Sequence, residues 1–143
     1  MPWWWNGIHS RLKICWAYAL EGSNPFLGTF LKIRINKMIV NGKELKICAS
    51  MGFNNKFEGM EAQLYVNLVL NVLKNHPVDM LVFEVINGKQ QIRSAGYRLN
   101  GNNELDESTI LYTAKSLPTE TFWFKIDDYG SHYVGTFLFP EEY

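Results

Sequence analysis

Met80-Leu-Val-Phe-Glu-Val-Ile86, Asn87-Gly88 and Lys89-Gln-Gln-Ile-Arg-Ser-Ala-Gly-Tyr-Arg98 decide how this chain is read. The first run is nearly all apolar and β-branched, which suits a strand covered on both faces. Asn-Gly then supplies the two positive φ values of a type I′ turn, and Gln90 to Leu99 returns as the second arm of a β-hairpin.

The same turn signature recurs on either side. Asn41-Gly42 separates a partly alternating segment, residues 32 to 40, from a second apolar series, Glu44 to Met51, which predicts another hairpin. Between the two hairpins, Met60 to Lys74 contains neither Gly nor Pro, follows Gly59 and stops at Asn75-His76-Pro77; this predicts one helix of about four turns. Beyond a third Asn-Gly at Asn100-Gly101, the polar segment Asn102 to Glu107 reads as a solvated loop, and Thr109 to Ala114 as a short strand before Pro118. Thr121 to Ile126 and Tyr133 to Phe139 flank Asp127-Asp128-Tyr129-Gly130-Ser131 as a third hairpin with a longer turn. The expected fold is α+β: one long helix packed on a twisted antiparallel sheet of β-hairpins.

Composition agrees with one domain. The chain has 143 residues, 47% hydrophobic and 15% aromatic, with 14 basic residues against 14 acidic ones, which excludes disorder and gives no nucleic-acid footprint. No apolar run approaches the ~20 residues of a membrane span. Cys15 and Cys48 lack metal-ligand spacing, so Cys48, within Ile47-Cys48-Ala49, reads as a buried inert thiol, and the compartment as a reducing cytoplasm.

The first thirty residues stand apart. Trp3, Trp4, Trp5 and Trp16, four of the five tryptophans, lie there without strand or helix periodicity. Back-translation offers a cause: Ser10 to Cys15 can be written AGC AGA CTT AAA ATC TGC, which resembles an anticodon arm with anticodon TAA, and Glu21 to Phe26 can be written GAG GGT TCG AAT CCC TTT, which resembles a T arm. Trp4 to His9 accommodates a leucine D arm in the right order. Residues 1 to 30 are therefore expected to be read-through of a leucine transfer-RNA gene, outside a native domain of residues 31 to 143 that starts in earnest as late as Met38. From residue 38 onward the balance is 9 basic to 13 acidic, again a poor match to a phosphate backbone.

Few residues point to chemistry. Asp127, Asp128 and His132 sit together at a hairpin tip, where a His beside carboxylates suits acid–base work, although Asp-Asp-x-Gly-Ser is also plain turn chemistry. Period two places Gln91, Arg93 and Tyr97 on one strand face, with Arg98 on the same strand, able to offer guanidinium and ring to a phosphate or nucleobase; Arg93 can equally pair with Glu84. His76 at the helix end reads as a cap. Trp123 points away from Phe122 and Phe124 and is a contact anchor if uncovered. Gln63, Asn67 and Asn71 make a narrow amide stripe on an otherwise apolar helix, suited to burial against a partner.

No catalytic residue, metal ligand or cofactor is assigned, and no phosphate loop, nucleophile elbow or zinc motif occurs. The expected function is a small non-enzymatic accessory protein of a phage or mobile element that binds a host factor or sequesters a small ligand. Its expected ligand or partner residues are Arg93, Tyr97, Arg98, Trp123, Asp128 and His132. The alternative is a small enzyme using Asp127, Asp128 or His132. A homo-oligomer is expected through the Gln63, Asn67, Asn71 stripe or the Trp123 face, because a small domain has little interior for this much apolar surface.

Overall fold

The structure is a computed structural model, and it describes residues 13–16, 37–57, 60–99, 104–106, 108–114 and 120–143. Its strands are β1 (Lys13–Trp16), β2 (Met38–Val40), β3 (Lys43–Ser50), β4 (Val78–Ile86), β5 (Lys89–Arg98), β6 (Ile110–Ala114), β7 (Phe122–Asp128) and β8 (His132–Leu138). Two helices, α1 (Met51–Lys56) and α2 (Met60–Asn75), separate β3 from β4. The Asn-Gly hairpins form as their turn chemistry dictates: Asn41 and Gly42 take φ of 50° and 79°, and Asn87 and Gly88 take 54° and 73°.

The expected architecture is overturned. Among the described residues 53% are strand, in a curled mixed sheet, and the helices are minor, so the fold is not one long helix on an antiparallel sheet of hairpins. The order is β1-β3-β8-β7-β4-β5-β6, with β2 also on β3. The strand that breaks the antiparallel scheme is β3, whose Glu44 to Ala49 run parallel to His132 to Phe137 of β8. Hairpin signals read only local pairing, whereas β3 and β8 are brought together by the whole intervening chain. A second omission is α1, which begins at Met51 because the Ser50 side chain accepts from Phe53 N–H and caps the helix.

Of the leader, Lys13–Trp16 adds β1 to the sheet's edge, opposite Ser50 to Ile47. Cys15 is bridged to Cys48, which corrects the reading of Cys48 as an inert thiol. The remaining leader residues, Trp3, Trp4, Trp5 and His9 among them, and the turn at Asn100-Gly101 lie outside the described residues.

The core lies on one face of the sheet and is aromatic. Phe53 of α1 stacks on Phe137 of β8 at 4.8 Å, Phe83 of β4 stacks on Phe122 of β7 at 4.4 Å, and Tyr65 of α2 meets Phe122 at 4.7 Å. Offset and edge-on rings interdigitate in this way because each ring's electron-rich face prefers a neighbour's edge. Gly135 of β8 leaves room for it, since a Cβ there would run into the Phe124 ring.

Candidate functional site

Strand registers bring five strands to one end of the sheet. Val78 at the start of β4 faces Arg98 at the end of β5, Asp128 at the end of β7 faces Tyr133 at the start of β8, and Glu44 in β3 faces His132. The β7 strand outruns β4: their pairing covers only Met80 to Phe83 against Lys125 to Phe122, so Ile126 to Asp128 pass beyond it. The gap is a cleft of about 430 Å³, lined on one side by Asp79, Tyr97, Arg98 and Leu99, and on the other by Asn41, Lys43, residues 125 to 128 and Tyr133.

A bulge aims two of these side chains. Between Met80↔Ala95 and Val78↔Arg98, β5 carries one residue more than β4. Gly96 absorbs it at φ 93°, and a side chain there would strike the Asp79 carboxylate, which accepts from Tyr97 N–H at 2.9 Å. Period two therefore fails after Ala95. Tyr97 and Arg98 reach the cleft, whereas Arg93 stays in a separate ion pair, its Nε 2.9 Å from Glu84 Oε2. That guanidinium, together with the Gln91 amide, holds the Glu84 carboxyl below its usual range against the opposing effect of burial.

Four of the cleft's six charged side chains pair with one another, while Arg98 turns to Asp106 and Asp79 to the Tyr97 N–H. Lys43 Nζ donates to both Asp128 oxygens, at 2.8 and 3.0 Å, and sits 5.1 Å from the centre of the Tyr133 ring. The lysine, followed by the Gly130 N–H at 2.8 Å, holds the Asp128 carboxyl below its usual range, and Asp128 in turn raises Lys43. Lys125 Nζ lies 3.7 Å from Asp127, and Asn41 Nδ2 donates to the Tyr133 hydroxyl at 3.2 Å.

Behind Arg98 is an arrangement that sequence reasoning missed. The expected solvated loop contains Asp106, only 5% exposed, whose carboxylate accepts from Ser94 Oγ at 2.5 Å and Arg98 Nε at 3.1 Å and lies 3.2 Å from His76 Nε2. Burial pushes this carboxyl up, but the bonds from Ser94, His76 and Arg98 outweigh it, and the group ends below its usual range. The Asp stands between Ser and His and bonds both, so this is a clamp rather than a nucleophile with its base. Its only trace in sequence is an acid in a polar loop, which reads as solvated because nothing local reveals the partners.

The other expected residues fall elsewhere. His132 Nδ1 bonds to Ser131 Oγ at 2.9 Å and the ring stacks on Tyr129, away from the residues that line the cleft. Trp123 is half-buried, with its ring 5.8 Å from that of Tyr143, so the C-terminal turn partly covers the expected anchor. Gln63 bonds to Asn67 along α2, and Asn67 and Asn71 line a different groove. Of the six expected ligand residues, the cleft collects Tyr97, Arg98 and Asp128.

Among the described residues no group of three His, Cys, Asp or Glu side chains could hold a metal ion, and no helix is long and apolar enough to cross a membrane. Set against known protein families, curated proteins and solved structures, the chain finds no match, and its chemistry is read from this cleft alone.

Proposed function

We propose that the protein is a non-enzymatic binding module that sequesters a small polar ligand in the cleft at the end of its sheet. The carrying observation is the pairing of charge: Lys43 with Asp128 and Lys125 with Asp127 line one opening beside Tyr97 and Arg98. Paired charges of both signs suit a zwitterion, a molecule with an amine and a carboxylate that exchanges partners with them, better than a polyanion or a metal. The Tyr97 ring, half exposed, offers it an apolar wall.

The enzyme alternative has less support. Among the described residues no Ser, Cys, Thr or His lines the cleft, and Asp128, held ionised by Lys43, is poorly suited to donate a proton. The read-through expected for residues 1 to 30 is what suggests a role as accessory protein of a phage or mobile element; the pairing of Lys13–Trp16 with β3 counts against it. The Cys15–Cys48 bridge weighs against the reducing cytoplasm expected from cysteine spacing, so binding is assayed without reductant.

Mass spectrometry of small molecules released on denaturation, followed by calorimetry with amino acids and related zwitterions, tests this reading. The expected result is a retained or titratable zwitterion whose binding falls in Asp128→Asn. A chain that retains nothing and gives no saturable heat with that panel overturns it.

A further inference from the structure

A second opening, distinct from the cleft, absorbs the amide stripe of α2. This groove, of about 590 Å³, lies between β2 and α2, and Lys37, Ile39, Asn67, Leu70, Asn71 and Lys74 are among its walls. Three features meet there. In the β2–β3 hairpin the pairs flanking the two-residue turn alternate, so Val40↔Lys43 and Met38↔Leu45 exchange hydrogen bonds while Ile39↔Glu44 does not. Ile39 therefore turns its N–H and C=O outward from β3, and β2 has no strand on that side among the described residues. The Ile39 side chain is 55% exposed.

Charge is the second feature. Both ionised side chains of the groove are lysines: Lys74 has no acidic partner among the described residues, and Lys37 has only a 4.0 Å contact with Glu44, which is not a groove residue. The third is the amides. Asn67 Oδ1 accepts from Gln63 at 2.9 Å, and among the described residues nothing bonds the Asn67 NH2 or the Asn71 side chain.

We propose that this groove binds an extended acidic peptide of a partner protein, added to β2 as a further strand. The peptide's main chain bonds Ile39, the Asn67 and Asn71 amides hold it from the helix side, and its carboxylates meet Lys37 and Lys74. A small carboxylate would use the lysines but leave the strand edge idle. A second copy, related by a two-fold axis through this face, would set lysine against lysine, which disfavours the stripe as a dimer interface.

Fluorescence anisotropy with a labelled Glu-Val-Glu-Val-Glu peptide and the full chain tests the proposal. The expected result is saturable binding that is absent for the Lys-Val counterpart. It weakens about tenfold in Lys74→Glu and, separately, when the peptide's central amide is N-methylated. Lys74 is exposed on α2, so the variant is expected to melt as the parent does by circular dichroism. Equal binding of the two peptides, indifference to Lys74→Glu or to N-methylation, or no binding at all overturns the proposal. Light scattering that finds a dimer dissolved by Asn67→Glu does so too, since a second copy then fills the groove. The peptide result stands whether or not the cleft holds a zwitterion, so the two readings fail separately.

Discussion

Tyr65 carries a hydroxyl into the core, where among the described residues neither it nor Gln90 Oε1 reaches a partner at hydrogen-bond geometry, although the Gln90 side chain lies close enough to act on the phenol. Burial pushes the phenol up to about 12, with Gln90 opposing, so it stays protonated throughout the neutral range. An unsatisfied buried hydroxyl costs about 1–3 kcal/mol, while the ring's contacts with Phe83 and Phe122 survive its removal. Tyr65→Phe is therefore expected to raise the urea midpoint, by the equivalent of about 1 kcal/mol. Gly96 works the other way: Gly96→Ala places a side chain at φ 93° against Asp79 and is expected to cost about 1–3 kcal/mol in the same measurement. It should also disturb Tyr97 and weaken any ligand of the cleft. Neither residue could be weighed from sequence. A Tyr within an apolar helical run says nothing of its hydroxyl's partners, and Ala95-Gly96-Tyr97 reads as an unbroken strand until the register slip is seen.

At the scale of elements, the clamp on Asp106 ties its own loop to two elements: to α2 through His76, the residue that follows it, and to β5 through Ser94 and Arg98. Its carboxyl is depressed in the folded chain, so its contribution to stability is fully present above the unfolded value of about 3.9 and is lost as pH falls through the lower folded value. Urea midpoints measured from pH 7 downward are expected to hold until about pH 4 and then drop, with a shallower drop in Asp106→Asn. Local elements were the legible part of this protein. Asn41-Gly42 and Asn87-Gly88 marked both tight hairpins, and His76-Pro77 marked the end of α2, because each is set by chemistry within a few residues. The Asp106 clamp, the cleft and the Cys15–Cys48 bridge were not, because their members meet only through pairings no local signal encodes. Tyr97 and Arg98, singled out for a strand face shared with Arg93, and Asp128, singled out at a hairpin tip, all line the cleft, but the shared face is broken by the bulge and no local signal announced the cleft.

For the whole molecule, the decisive pairing is β3 with β8, Glu44 to Ala49 against His132 to Phe137, while β4, β5 and β7 fill the sheet beyond it. Contacts so distant in sequence slow folding, because the chain must close large loops before those contacts reward it. Refolding monitored by stopped-flow tryptophan fluorescence is expected on the millisecond-to-second scale; microsecond folding would contradict the parallel closure. The same pairing bears on how the protein is made. On a ribosome adding about 5–20 residues per second, β3 emerges roughly 4–18 s before the strand that flanks it. Throughout that interval Ile47 and its apolar neighbours hang from the ribosome with one edge unpaired, a nascent chain that invites chaperone capture until β8 has been synthesised.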